Sequence, residues 1–258
     1  MKTSRRNFLK FAGVSAAGLC FSPVGHALAA GGGGHGPVIQ KNPKALSAHR
    51  WAMVVDTRKL KTTRDIQPLV DACHAIHNVP DIEGKQEIKW LWSDTYGHTF
   101  TTIENNHLAE DVEKRAFLLL CNHCKNPPCV RVCPTQATFQ REDGVIMMDF
   151  HRCIGCRYCM AGCPYGARSF NFQDPHPFIE KENKEFPTRM RGVVEKCNFC
   201  AERLAVGEMP ACVEASKGAL VFGDLEDESS EVRKVLRENF TIRRKPSLGT
   251  EPGVYYII

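Results

Sequence analysis

Two runs of four cysteines are the part of this sequence best suited to chemistry. The chain has 258 residues and 13 cysteines. CNHCKNPPCVRVCP spans residues 121–134, and CIGCRYCMAGCP spans 153–164. The second run has the C-x2-C-x2-C-x3-C-P spacing that holds iron–sulfur clusters, and the first differs only in having four residues between its second and third cysteines. Thiolates are soft ligands suited to iron–sulfur cores, so both runs predict electron transfer.

The spacing also predicts how the ligands are shared between clusters. Three cysteines in C-x2-C-x2-C surround one cubane cluster, whereas the fourth cysteine binds the neighbouring cluster. We therefore expect the two runs to exchange their last ligands. Site 1 is defined as Cys121, Cys124, Cys129 and Cys163. Site 2 is defined as Cys153, Cys156, Cys159 and Cys133.

A third site is predicted from more scattered cysteines. CNFC at 197–200 and Cys212 supply three ligands, and Cys73 is the one cysteine left downstream of the N-terminal segment. Site 3 is therefore defined as Cys73, Cys197, Cys200 and Cys212. The sequence leaves one alternative open, in which site 3 is an incomplete three-iron site and Cys73 is an ordinary buried thiol.

The same spacing indicates that a fourth site has been lost. Ser216 stands where the repeat would place a cysteine after Cys212. Upstream of Cys73, the three ligand positions are occupied by Thr63, Ile66 and Leu69. Because the fourth cysteine of a run serves the neighbouring cluster, all these positions belong to one further site. The sequence therefore predicts three complete [4Fe-4S] clusters.

Other chemistries agree less well with the sequence. Paired C-x2-C motifs also occur in zinc ribbons, which leaves a structural zinc-binding protein as an alternative. Covalent haem attachment is excluded because no C-x-x-C-H occurs in the sequence. No Ser-His-Asp or paired-carboxylate pattern is discernible, and the GGGG run lacks the flanking strand and helix of a phosphate loop. We expect no catalytic site of the chain's own and no organic substrate.

The first 30 residues have the features of an export signal. SRRNFLK at 4–10 precedes a mildly apolar stretch, and small residues follow near Ala29. This order indicates a signal peptide, and the paired arginines indicate the twin-arginine type. We expect cleavage and a periplasmic location, with an uncut N-terminal anchor as the alternative. Because this route exports folded proteins, clusters can be inserted beforehand, and Cys20 within the signal needs no partner.

Charge and hydropathy restrict the partners. Residues 1–30 contain four basic and no acidic residues, so the formal charge of +5 falls to +1 without them. Each oxidised cluster with its four thiolates adds about −2, so three clusters would make the protein mildly acidic. We therefore expect no nucleic-acid partner. Beyond the signal no apolar run approaches the roughly 18 residues of a membrane helix. We therefore expect no transmembrane helix in the mature chain, and any membrane connection must come through a partner.

Short elements must position these cysteines. A β-hairpin is predicted to turn at residues 142–144, between the two runs, and residues 174–190 are predicted to be a polar loop without an element of its own. The C-terminal strand either completes a sheet or docks on a membrane partner. We predict strands at 51–56 (buried on both faces), 86–92, 167–172 and 254–258, and a capped helix at 228–239.

Several polar residues lie beside the predicted ligands. His123, Arg157 and Tyr158 fall inside the cluster loops, where they could donate hydrogen bonds toward cluster sulfurs. We expect them instead to pack or to face solvent. His74 and His77, next to Cys73, are expected to be ordinary surface histidines.

The quoted motifs, together with EKCNFCAERLAVGEMPACVEA and GDLEDESSEVRKVL, resemble the iron–sulfur subunits of the dimethyl sulfoxide, polysulfide and tetrathionate reductase group. The resemblance covers about residues 50–258. It implies an α+β fold of two ferredoxin-like dicluster modules with interleaved connectivity, with one of the four cluster sites lost in this chain. The implied domains are a signal peptide at 1–30, a flexible linker at 31–50, an outer module at 51–115 and 190–258, and an inserted module at 116–189.

The resemblance also implies partners, because subunits of this group pass electrons between a membrane quinone subunit and another redox protein. The signal, the three retained clusters and the ending FTIRRKPSLGTEPGVYYII resemble one branch, the periplasmic iron–sulfur subunits of DsrMKJOP membrane complexes in sulfur-metabolising microbes. That branch implies an NrfD-like quinone-interacting membrane subunit and a multihaem cytochrome c as partners. A freely diffusing periplasmic polyferredoxin is the alternative, although the long 174–190 loop and the C-terminal extension would then be superfluous.

Overall fold

Short strands and helices are joined by the cysteine-bearing loops. This computed structural model describes residues 42–258 except 104 and 106, so the predicted signal peptide lies outside the described residues. In chain order the strands are β1 (Trp51–Asp56), β2 (Leu91–Asp94), β3 (Phe117–Leu120), β4 (Thr138–Gln140), β5 (Ile146–Met148), β6 (Ser169–Phe170), β7 (Val194–Glu195), β8 (Leu220–Asp224), β9 (Thr241–Ile242) and β10 (Val254–Ile257). The helices are α1 (Thr63–His77), α2 (Tyr96–Thr99), α3 (Glu110–Glu113), α4 (Pro128–Arg131), α5 (Tyr158–Ala161), α6 (Ala201–Val206), α7 (Ala211–Ala215) and α8 (Glu231–Glu238).

The largest sheet joins both ends of the described chain in the order β8-β1-β10-β9. Strand β1 runs parallel to β10 and antiparallel to β8, and all six of its residues are buried, as predicted. The C-terminal strand therefore completes a sheet, which decides between its two predicted roles. Tyr256 is fully buried there, and its hydroxyl donates to the carbonyl of Leu118 at 3.0 Å.

Helix α1 was not predicted from the sequence, and it carries Cys73. Thr62 caps it in a reciprocal capping box with Asp65, an arrangement that satisfies backbone N–H groups at the helix start. Its buried residues recur every three or four positions, which places them on one face. These residues are Ile66, Leu69, Cys73 and His77. Two of the positions that spacing assigns to the lost cluster therefore pack as core side chains.

The remaining strands form three two-stranded sheets, β2–β3, β4–β5 and β6–β7, all antiparallel. The predicted hairpin is confirmed as β4–β5, and Gly144 provides its turn with φ +80°. The strand predicted at 86–92 begins only at Leu91, because Gly84–Gln86 forms a 3₁₀ turn and the pairing partner β3 reaches only residues 91–94.

Residues 174–190 differ from the polar loop that was predicted. They contain a 3₁₀ turn at His176–Phe178, and Phe186 and Arg189 near the end of the segment are buried. The backbone N–H of Asn183 donates to the side chain of Asn78 at 2.6 Å, just after α1. The segment therefore packs against the C-terminal end of α1.

Two further expectations concern the ends of the described chain. The predicted C-terminal helix is α8, and the Ser230 hydroxyl caps it by accepting from the backbone N–H of Arg233 at 3.2 Å. Residues 42–50, the end of the segment predicted as a linker, contact the fold: the Leu46 N–H donates to the carbonyl of Leu204 at 2.9 Å. None of the helices among the described residues is long and apolar enough to cross a membrane.

Candidate iron–sulfur centres

Short helices after each loop place the predicted ligands. Helix α4 follows the first cysteine pair of site 1 and carries Cys129, and α5 carries Cys159 of site 2. The two helices pack against each other. Cys133 follows α4 by two residues, and exchange of the fourth ligands predicts that it binds at site 2.

The four thiols of site 1 lie together. Burial raises the pKa of Cys124 to about 12, and the nearby Cys121, Cys129 and Cys163 contribute to the shift. Cys163 comes from the second run, so the structure brings together all four residues that the spacing rule predicted. Its own pKa is raised by burial and by Cys121.

Site 2 is the most open of the three sites. Cys159 is buried, Cys133 and Cys153 are partly buried, and Cys156 is exposed. Burial raises the pKa of Cys159, with further contributions from Cys129 of site 1 and Cys153 of its own site. Site 2 therefore lies at the surface on one side and adjoins site 1 on the other.

Site 3 is fully enclosed, and Cys73 belongs to the same thiol group as the other three cysteines. All four are buried. Burial raises the pKa of Cys73 well above its ordinary value, and Cys197, Cys200 and Cys212 raise it further. The tertiary fold thus brings α1 to the loop that was predicted to need a fourth ligand. Whether Cys73 binds a cluster stays a prediction.

The backbone that follows the fourth cysteine of each run affects its thiol. Burial raises the pKa of Cys133, but the backbone N–H of Thr138, the hydroxyl and N–H of Thr135 and the N–H of Ala137 together lower it below its ordinary value. The backbone N–H groups of Tyr165 and Ala167 also lower the pKa of Cys163, but burial outweighs them there. The repeated CP-x-x-A sequence therefore acts on the thiol pKa in the same direction in both runs.

The spacing of the thiols argues against zinc and disulfides. All twelve cysteines in the described part of the chain are free. Tetrahedral zinc with Zn–S bonds of about 2.3 Å holds its sulfurs about 3.8 Å apart. Between residues 42 and 258, leaving aside 104 and 106, no three cysteine sulfurs lie within 4.8 Å of one another. No three cysteine thiols of the described residues are therefore arranged as ligands of one zinc ion, which argues against zinc.

One smaller group of possible ligands has another explanation. His77, Cys200 and Glu202 have ligand atoms within 4.8 Å of one another. His77 is 1% exposed, so the expectation of a surface histidine was wrong. Its Nε2 lies 2.6 Å from a Glu202 oxygen and its Nδ1 lies 2.8 Å from the carbonyl of Cys73. Both ring nitrogens are thus engaged, and the pair fixes α1 against α6 beside site 3.

Two buried cations without a carboxylate partner adjoin the sites, and neither was predicted from the sequence. Lys196 is 2% exposed and Arg168 is 5% exposed. Burial lowers the pKa of Lys196, and the thiols of Cys121 and Cys197 oppose that effect. A buried charge is costly without a compensating one, so these cations favour anionic groups in the sites. Their positions in EKC and GAR, directly beside cysteine motifs, were the available signal.

The other residues inside the cluster loops pack or face solvent, as expected. His123 is buried, with its ring stacked on Phe199 at 3.6 Å and its Nδ1 accepting from the N–H of Ile146 at 3.0 Å. Arg157 lies over the ring of Phe170 at 5.4 Å. The side chain of Tyr158 is 62% exposed.

Gly155 gives a test of site 2, because it lies between Cys153 and Cys156 with φ +70°. A Cβ at this position would lie 2.5 Å from the carbonyl oxygen of Gly192. We expect Gly155→Ala to displace the loop and lower cluster occupancy at site 2 alone, measured as iron per chain. Gly166→Ala is the matched control, since its φ is +65° and nothing lies within 4 Å of its Cβ position. Equal iron loss in both variants would assign the effect to backbone strain.

Comparison with known proteins identifies similar chains. A family described as the 4Fe-4S dicluster domain matches residues 112–181, which include every cysteine of sites 1 and 2. Hdr-like menaquinol oxidoreductase iron–sulfur subunit 1 of Archaeoglobus fulgidus is 40% identical, over 98% of this chain and 97% of that protein. A tetrathionate reductase subunit of Salmonella typhimurium is 33% identical, over 100% of this chain and 89% of its own length. Protein NrfC of Escherichia coli K12 is 34% identical, over 100% of this chain and 96% of that protein.

Proposed function

The chain belongs to the family of iron–sulfur subunits of the dimethyl sulfoxide and tetrathionate reductase group, and from this premise we propose that it relays electrons through three [4Fe-4S] clusters. The chain supplies fixed thiol ligands, and each cluster, when bound, supplies a one-electron carrier. The observation that carries the proposal is that twelve cysteines of the described residues are free, with the four thiols of site 1 near one another and Cys73 near the other three thiols of site 3.

Contacts between the sites support an order for the relay. Burial raises the pKa of Cys197 in site 3, and the next largest influence is Cys121 of site 1. On the other side, Cys129 of site 1 acts on Cys159 of site 2. We infer the order site 3, site 1, site 2, with site 1 in the middle. The exposed Cys156 makes site 2 the end of the relay that a partner can approach from solvent.

The names of the relatives support a membrane complex. One relative is a subunit of a menaquinol oxidoreductase. We propose that an NrfD-like quinone-interacting membrane subunit and a multihaem cytochrome c are the partners, in a respiratory complex of sulfur metabolism. We also propose twin-arginine export, a periplasmic location, and the two-module arrangement with one lost site. Co-purification from detergent-solubilised membranes tests the partners, and recovery as a single free chain would favour a diffusing polyferredoxin.

Iron and acid-labile sulfide per chain test the number of clusters. We expect about twelve of each in anaerobically purified protein, because three cubanes each contain about four of both. About sixteen of each would contradict the loss of a fourth site. About eleven iron atoms would indicate a three-iron cluster, and stoichiometric zinc would contradict the proposed function as a whole.

A further inference from the structure

Arg168 and Lys196 carry buried charges that no carboxylate neutralises. Within the part of the chain that the structure describes, no carboxylate oxygen lies within 4.0 Å of either side chain. The other deeply buried arginine beside the sites, Arg189, contrasts with them, since it is 2.7 Å from the carboxylate of Glu195. The two unneutralised cations therefore need a different anionic partner.

Arg168 lies at the boundary between sites 1 and 2. Its guanidinium donates to the Thr138 hydroxyl at 2.8 Å and lies 3.9 Å from the sulfur of Met148. Both of these partners are neutral. Arg168 lines the same small cavity as Cys121, Cys124, Cys129 and Cys163 of site 1. The thiols of Cys129 in site 1 and Cys159 in site 2 raise its pKa against the effect of burial. Arg168 therefore lies near predicted ligands of two different sites.

Lys196 lies at the boundary between sites 1 and 3. Its ammonium group donates to the carbonyl of Cys197 at 2.7 Å and to the carbonyl of Ile146, again to neutral acceptors. Ile146 lines the cavity of the site 1 cysteines, and Cys121 of site 1 and Cys197 of site 3 both oppose the lowering of the Lys196 pKa by burial. Each boundary in the order site 3, site 1, site 2 is therefore occupied by one cation.

A buried cation affects the oxidised and reduced forms of a cluster differently. With four thiolates an oxidised cubane carries about −2, and one added electron makes it about −3. No bond forms or breaks, and no proton is required. The interaction with a fixed positive charge is stronger in the reduced form, so the cation raises the reduction potential, and low local polarity strengthens the effect.

We propose that Arg168 and Lys196 each set the reduction potentials of the two sites that they separate. Arg168 raises the potentials of sites 1 and 2, and Lys196 raises those of sites 1 and 3. Site 1, next to both cations, responds to both. This inference rests on the proposed function, because it requires clusters in all three sites.

The test is a redox titration of the purified full chain, in which electron paramagnetic resonance measures the reduction of each cluster. In Arg168→Met we expect the equilibrium constant for reduction to fall at least tenfold at sites 1 and 2 and to stay unchanged at site 3. In Lys196→Met the same fall is expected at sites 1 and 3 and not at site 2. A tenfold change corresponds to about 59 mV for one electron. Arg168→Lys and Lys196→Arg keep the charge and should retain the wild-type potentials within about threefold.

Arg115→Met controls for the removal of a buried cation as such. Arg115 is 7% exposed and donates to Asp111 and Thr57, so its loss should lower stability without moving any potential. Equal shifts at all three sites, or potentials unchanged in both methionine variants, would overturn the inference. If Arg168→Met or Lys196→Met cannot be isolated with clusters, the same comparison is made with glutamine: Arg168→Gln against Arg168→Lys, and Lys196→Gln against Lys196→Arg. Fewer than three cubanes in the wild-type chain would instead contradict the proposed function.

Discussion

Replacing Cys73 by serine should remove about four iron atoms from the chain and leave the other two clusters in place. The structure places Cys73 near the thiols of Cys197, Cys200 and Cys212, and the other eight cysteines of the described residues are predicted to belong to sites 1 and 2. A serine hydroxyl is a harder and far less acidic ligand than a thiol, so the fourth iron loses its anchor. We expect iron to fall from about twelve to about eight per chain, counting about four per cubane.

The position of Cys73 makes this result specific. Helix α1 is capped at Thr62, and its buried face fixes Cys73 at 2% exposure within the core. Serine is slightly smaller than cysteine and fits the same space, so sites 1 and 2 should be unaffected. About eleven iron atoms would instead show that a three-iron cluster survives, and all twelve would show that Cys73 is not a ligand.

Leu69→Ala is the matched control for Cys73. Leu69 lies one turn away on the same face of α1 and is also 2% exposed. Leucine-to-alanine changes in cores cost about 2–5 kcal/mol of unfolding free energy. This variant should therefore be less stable than Cys73→Ser and yet retain about twelve iron atoms, counted as above. Equal iron loss in both would mean that the helix, and not the thiol, is needed.

Replacing Arg189 by methionine should produce the largest loss of stability among the changes considered. Arg189 and Glu195 form an ion pair at 2.7 Å, and both side chains are fully buried. The guanidinium also donates to the carbonyls of His77 and Asn78 at the C-terminal end of α1. Removing one partner of a buried pair leaves an unpaired charge, which costs about 3–5 kcal/mol.

Urea unfolding of the cluster-loaded protein measures this effect. We expect a clear fall in the midpoint for Arg189→Met, with the absorbance of site 3 lost first, because Arg189 holds the helix that carries Cys73. The double variant Arg189→Met with Glu195→Gln should be less destabilised than the single variant, since it buries no unpaired charge. Arg203→Met removes two partly exposed pairs, with Glu208 and Glu214, as a control and should cost about 1 kcal/mol. A similar urea midpoint for Arg189→Met and Arg203→Met would show that the buried pair of Arg189 is no more important for stability than a partly exposed one.

Local spacing was sufficient to predict the parts of the site that lie within one loop. The two runs specified eight ligands and their exchange, because C-x2-C-x2-C can enclose only one cubane and the next cysteine points away. The turn at Gly144 and the cap at Ser230 were equally local, and both agree with the structure. The continuous apolar run at residues 51–56 likewise predicted β1 as a strand buried on both faces.

Contacts between distant segments decided the rest. The strand predicted at 86–92 begins only at residue 91, because its extent depends on pairing with β3. The prediction of a plain loop at 174–190 is wrong, because burial of this segment depends on its contact with the end of α1. Helix α1 has a capping box and apolar residues at helical spacing, so its signal was present in the sequence although the helix was not predicted.

The amino-acid sequence by itself determined which residues we predict as ligands, since thiols, their spacing and the following prolines are properties of short segments. Only the tertiary structure determined what surrounds them. Arg168 and Lys196 look like ordinary surface charges in the sequence, and they become buried between sites only when separate loops meet. Cys73 is 124 residues from Cys197, and no local rule joins them. The physical reason is that burial and electrostatic interaction depend on distance in space, whereas a sequence pattern reports only distance along the chain.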